Sequence, residues 1–99
     1  MPHKVVVTGF GAFGDYERNP SQDVAKALSE QGVEGCEVVM QEMRVAYCEV
    51  SETVPKLWVE HNPDLVIHIG VHHIRKCVKI ERTAFPDGYC RYDVDGKVP

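Results

Sequence analysis

Apolar and polar positions follow several rhythms along this chain, and each predicts a different kind of element. Lys4–Thr8 is nearly all β-branched, as expected of a strand covered on both faces. A loop of glycines and phenylalanines follows. Val24, Ala25 and Leu28 then recur at helical spacing and predict a helix from Ser21, as its cap, to about Gln31, with Gly32 as the stop. Cys36 to Val45 alternates imperfectly, which predicts a strand nearer the sheet edge. A second helix is expected over Tyr47–His61, with Val50, Val54, Leu57 and Trp58 on its buried face. Pro55 falls inside it, which predicts a kink or a start within the preceding turn. Asn62-Pro63-Asp64 then closes the helix and launches Leu65–Gly70, a strand that is apolar except for His68. A less regular strand is expected over Lys76–Thr83. From 86 to 99 the chain has no periodicity and reads as an irregular tail.

This β-α-β-α-β-β order predicts a single α/β domain over residues 1–99, a three-layer α/β/α sandwich with a mostly parallel central sheet and right-handed crossovers. The sandwich reads as incomplete in this chain. The first and third strands look central, and central parallel strands need helices on both faces, whereas only two helices are present.

Charge narrows the possible partners. A formal net charge of −4 with no clustered basic face gives no electrostatic case for nucleic acid. Met1-Pro2-His3-Lys4 leads straight into a strand without an apolar leader, and no apolar run approaches membrane-spanning length. The four cysteines, Cys36, Cys48, Cys77 and Cys90, are scattered without close pairs. A cytoplasmic protein with reduced thiols is expected. A metal site from His72, His73, Cys77 and Cys90 is disfavoured, because adjacent strand histidines point to opposite faces. No metal and no cofactor is expected.

The segment Val5-Val6-Val7-Thr8-Gly9-Phe10-Gly11-Ala12-Phe13-Gly14 carries the most chemistry. Gly9-x-Gly11-x-x-Gly14 fits the dinucleotide fingerprint, but a dinucleotide site needs a helix opening at the glycines. Here a polar stretch closed by Asn19-Pro20 intervenes, and a helix starting at Ser21 comes too late to aim its amides at the glycine turn. Two phenylalanines on a loop better suit an apolar slot for a small flat ligand.

The same segment, with Asn19-Pro20-Ser21, Val66-Ile67-His68-Ile69-Gly70-Val71 and Ile80-Glu81-Arg82, resembles the N-terminal half of the pyroglutamyl peptidase I family. That resemblance implies a cysteine-type omega-peptidase acting on N-terminally pyroglutamylated peptides. By the same resemblance Phe10 and Phe13 hold the lactam ring, Asn19 fixes the loop or binds substrate, and Glu81 is the acid of a Cys-His-Glu triad. Aromatic faces suit a small amide ring because they leave its polar edges free to hydrogen-bond. The resemblance also implies that the nucleophilic cysteine and the histidine belong to the other half of the fold. None of the cysteines and histidines of this chain matches them. His72 and His73 stand where the family often has small residues. The leading expectation is a fragment of an active peptidase. The alternative is a non-catalytic truncated product, or a small-ligand-binding or interaction module.

Overall fold

The computed structural model describes residues 2–13, 17–71 and 77–99. Its elements run β1 (His3–Phe10), α1 (Pro20–Gln31), β2 (Cys36–Met43), α2 (Tyr47–His61) and β3 (Leu65–His68). The three strands form one parallel sheet in the order β2-β1-β3. The run of valines in β1 therefore lies at the centre, with Val6 fully buried and Val7 nearly so. β2 is an edge strand, as its broken alternation predicts.

The connections reverse direction at β1. The β1-α1-β2 unit moves to one side of β1, and the β2-α2-β3 unit returns past it to the other. Right-handed crossovers running in opposite directions put the two helices on opposite faces of the sheet. Leu28 of α1 shares one face with Val5, Val7 and Val38. Val6, Met43 and Leu57 are buried in the core with Ala25 and Ala46. Such a reversal opens a crevice at the carboxyl ends of the strands, where ligands of open α/β sheets bind.

Helix boundaries follow local chemistry. α2 runs through Pro55 from Tyr47 to His61, at the expected bounds, although Pro55 cannot donate to the Ser51 carbonyl. It stops at Asn62, in the left-handed region at φ 44°, whose amide donates to the Trp58 carbonyl. Leu57 is buried as expected, whereas Trp58 is half exposed. Asp64 then locks β3 onto β1: its amide donates to the Lys4 carbonyl, and its carboxylate accepts from the Lys4 amide at 2.8 Å.

The start of α1 differs from expectation. The cap is Asn19 in extended conformation, and Pro20 opens the helix. Proline suits that first position because its φ is already helical and its missing N–H would have had no partner. The expectation that the helix lies too far along the chain to reach the glycine turn is also corrected. A Cβ on Gly9 would lie 2.8 Å from the Ser21 carbonyl oxygen and 2.9 Å from the Gln22 Cα. The first turn of α1 thus rests directly on Gly9.

Two further expectations are revised. β3 ends at His68 and occupies an edge of this sheet, not its centre. Of the fourth strand, Lys76 lies outside the described residues, and residues 77–83 form no strand; Val78 and Ile80 stand in solvent. Residues 86–99 contain no helix or strand, yet 91–97 are tied to the start of α2. Asp93 accepts from the Tyr47 amide at 2.9 Å and also from the Asp95 and Lys97 amides. Those backbone donors, led by the Lys97 amide, hold its carboxyl below the usual carboxylate range. Asp93 supplies the helix cap that Ala46 lacks.

Gly9→Ala tests the close approach of α1 to the sheet. Backbone on both sides cannot yield cheaply, so urea unfolding is expected to show a loss of about 1–3 kcal/mol, against near neutrality at Gly70, where a Cβ would meet nothing within 4 Å.

Candidate functional site

The loop after β1 leaves the carboxyl end of the central strand and is fixed by three hydrogen bonds over two residues. The Phe10 amide donates to Ser21 Oγ at 2.9 Å. The Gly11 amide donates to the Met43 carbonyl at the end of β2, also at 2.9 Å. The Gly11 carbonyl accepts from Asn19 Nδ2 at 3.0 Å. Ser21 and Asn19 are themselves joined, because Ser21 donates through its amide and its hydroxyl to Asn19 Oδ1, at 3.0 and 2.7 Å. Asn19 is 1% exposed and Ser21 2%, so this is a dry network in which each member has a partner.

The network also closes the dinucleotide reading on physical grounds. The Ser21 amide goes to the Asn19 side chain, and the Gln22 and Asp23 amides go to the Asn19 carbonyl. The first-turn donors that would meet a pyrophosphate are thus taken by the chain itself. Gly14 lies outside the described residues.

Phe10 and Phe13 are both partly buried, at either end of the loop Gly11-Ala12. The structure brings Phe10 and Asn19 together through Ser21. It does not bring Glu81 to them. Glu81 is exposed on the irregular segment 77–83 and pairs with Lys79 Nζ at 3.7 Å. Among the described residues no hydrogen bond or ion pair links it to Phe10, Asn19 or Ser21. His72 and His73 lie outside the described residues.

Two participants were not singled out from the sequence. Ser21 reads there only as a helix cap; the signal was available in its place after Asn-Pro, where a hydroxyl in the first turn reaches back over the strand end. The other is the pair Thr8 and His68, opposite one another in the β1–β3 register. Thr8 Oγ1 and His68 Nδ1 lie 2.7 Å apart. Thr8 is fully buried. The His68 ring shows part of its surface to water, but its burial against the sheet pushes its pKa below the ordinary imidazole value.

Comparison with known proteins then places the chain. The family model described as Pyroglutamyl peptidase matches residues 3–99. The chain belongs to the pyroglutamyl peptidase family. It is 35% identical over 99 residues to "Pyroglutamyl-peptidase 1" of Rattus norvegicus, covering 93% of this chain and 47% of that protein. It is 38% identical over 81 residues to "Pyrrolidone-carboxylate peptidase" of Thermococcus onnurineus, covering 82% of this chain and 40% of that one. The crystal structure of pyroglutamyl peptidase I from Bacillus amyloliquefaciens superposes with a TM-score of 0.88 at 26% identity, over all of this chain and 48% of the other. Pyrrolidone carboxyl peptidase of Pyrococcus furiosus superposes at 0.86 with 34% identity, over 95% of this chain and 46% of the other. The α/β fold expected from the strand and helix order is the fold of these proteins. The chain spans about half the length of the relatives it matches, their N-terminal half. Among the described residues no helix is long and apolar enough to cross a membrane.

The network makes two predictions. Asn19→Ala removes the cap and leaves the Gly11 carbonyl without its donor, and should cost about 2–3 kcal/mol in chemical denaturation; Ser21→Ala should cost about 1–2 kcal/mol. The His68 pKa gives a pH signature. Because the folded value is depressed, the unfolded chain binds more protons between that value and the unfolded one near 6.5. The contribution of His68 is fully present above that pH and is lost as pH falls through the folded value. Unfolding midpoints followed from pH 8 to 5 should drop more in the wild type than in His68→Gln.

Proposed function

We propose that this chain carries the pyroglutamyl-binding loop and the triad acid of a cysteine-type omega-peptidase that removes N-terminal pyroglutamyl residues from peptides. The observation that carries this reading is the pinned loop Phe10–Phe13 at the carboxyl end of the central strand, in a chain of the pyroglutamyl peptidase family. Phe10 and Phe13 supply ring surface for the lactam, whose amide edge stays free for hydrogen bonds. Asn19 acts by holding the loop, since Oδ1 takes Ser21 and Nδ2 takes Gly11.

Glu81 orients and charge-balances the histidine that activates the nucleophilic thiol. The thiolate attacks the pyroglutamyl carbonyl, the histidine returns its proton to the departing amine, and water then releases the acyl group. The thiol and the imidazole come from the half of the fold that this chain does not span. Peptides with an N-terminal pyroglutamyl residue are the substrates, and the compartment is the cytoplasm.

One observation favours a second reading of these 99 residues taken alone. Glu81 is exposed and pairs with Lys79, and among the described residues no histidine is bonded to it. By themselves they form a ligand-binding module that takes the lactam without cleaving it.

The native polypeptide bearing this sequence, assayed on a fluorogenic pyroglutamyl amide, tests the first reading. Glu81→Gln should lower kcat about 10³–10⁴-fold. Phe10→Ala should raise KM about tenfold while changing kcat less. Turnover that survives Glu81→Gln undiminished would remove Glu81 from the triad. A KM unmoved by Phe10→Ala would remove the loop from the binding site.

A further inference from the structure

We infer that His68 is a specificity-determining residue, whose Nε2–H donates to the lactam carbonyl of the pyroglutamyl group, and that Thr8 is the positioning residue that sets the ring for this. The inference rests on the proposed function for its ligand and on three features of the structure for its donor.

The first is where the register puts the ring. Successive strand residues point to opposite faces, and residues opposite one another in a parallel pair share a face. His68 stands opposite Thr8 in the β1–β3 register. Phe10, the last residue of β1, is two positions beyond Thr8. Thr8, Phe10 and His68 therefore share one face of the sheet, at the carboxyl ends of their strands. Strand spacing and rise put the Cα atoms of His68 and Phe10 about 8 Å apart. A small ring resting on the Phe10 phenyl bridges that gap to an imidazole.

The second is the tautomer. Thr8 is fully buried, and its hydroxyl lies 2.7 Å from His68 Nδ1. Among the described residues this is the one hydrogen bond that either side chain makes. Were the proton on Nδ1, the Thr8 hydroxyl hydrogen would be buried without an acceptor, which costs more than an unshared lone pair. Thr8 accordingly donates and Nδ1 accepts. The neutral ring then carries its hydrogen on Nε2. Burial of the ring against the sheet favours that neutral form.

The third is access. His68 keeps surface open to solvent while Thr8 beside it is covered, and among the described residues Nε2 has no partner. The arrangement is an uncharged donor held on a strand, on the face that carries Phe10. Such a donor matches a carbonyl oxygen and has nothing to offer a C–H or N–H group. A pyroglutamyl ring presents a carbonyl where the ring of an N-terminal proline has a methylene. A site built to hydrogen-bond one ligand rejects the analogue that lacks the partner group.

The test follows the imidazole nitrogens of the ¹⁵N-labelled polypeptide bearing this sequence by long-range ¹H–¹⁵N NMR during titration with L-pyroglutamate. Without ligand, Nε2 should be the protonated nitrogen of His68, and Thr8→Val should mix the two tautomers. Pyroglutamate should move the Nε2 signal in step with the Phe10–Phe13 amides. Two substitutions then divide the ring. His68→Asn keeps an acceptor at the place of Nδ1 and loses the donor at Nε2, and should weaken pyroglutamate about tenfold. His68→Gln reaches the place of Nε2 with an amide donor, and should stay within about threefold of the wild type. A merely structural pairing with Thr8 gives the opposite order and overturns the inference, as does a proton found on Nδ1. Pyroglutamate that moves the loop amides but leaves Nε2 unmoved overturns the inference and leaves the proposed function standing. A loop that does not respond contradicts both.

Discussion

The buried contact between Asn19 and Ser21 is the interaction on which the site depends. Two short side chains settle three problems at once. Asn19 caps α1 with its oxygen and carbonyl, Ser21 holds the Phe10 amide, and the Asn19 amide group holds the Gly11 carbonyl. The Asn19 and Ser21 side chains are buried, so removing either leaves a buried polar atom of the other unpaired and costly. The loop that follows β1 is therefore rigid where it leaves the sheet, and a rigid loop presents its aromatic rings with little ordering cost on binding. Gly9 is the steric counterpart of this contact. Only a residue without a Cβ lets the first turn of α1 come close enough for Ser21 to reach the Phe10 amide.

A second constraint is topological. The direction of winding reverses at β1, which places a crevice at the carboxyl ends of the strands, where Thr8 and His68 pair across β1 and β3. The same reversal puts one helix on each face. The β1–β2 side is covered in this way, while among the described residues β3 pairs with β1 alone and Leu65 and Ile67 stand half exposed.

Much of this was legible along the chain because it is local. The valines of β1, the bounds of α2 and the edge character of β2 follow from period, propensity and turn residues. The boundary of α1 was misread by two positions, since Asn19 and Ser21 are both good caps and only the proline between them decides. What remained hidden is tertiary. Sequence spacing separates Gly9 from Ser21, whereas the fold stacks them. The pairing of Thr8 with His68 spans 60 residues and depends on strand register. The docking of Asp93 onto the start of α2 likewise joins distant segments. The fourth strand shows the reverse limit, because Val78 and Ile80 have the alternation of a strand yet stand exposed, and among the described residues they pair with no strand. The assignments of Phe10, Phe13 and Glu81 came from family resemblance. Physical reading alone would have left Glu81 a surface acid.

The central claim is that the pinned loop receives the lactam. It is tested most directly by titrating L-pyroglutamate into the ¹⁵N-labelled chain and following backbone amide shifts by NMR. The account predicts saturable changes concentrated on Phe10, Gly11, Ala12 and Phe13, with proline, which lacks the lactam carbonyl, producing none. Shifts absent from that loop, or spread equally by proline, would contradict it.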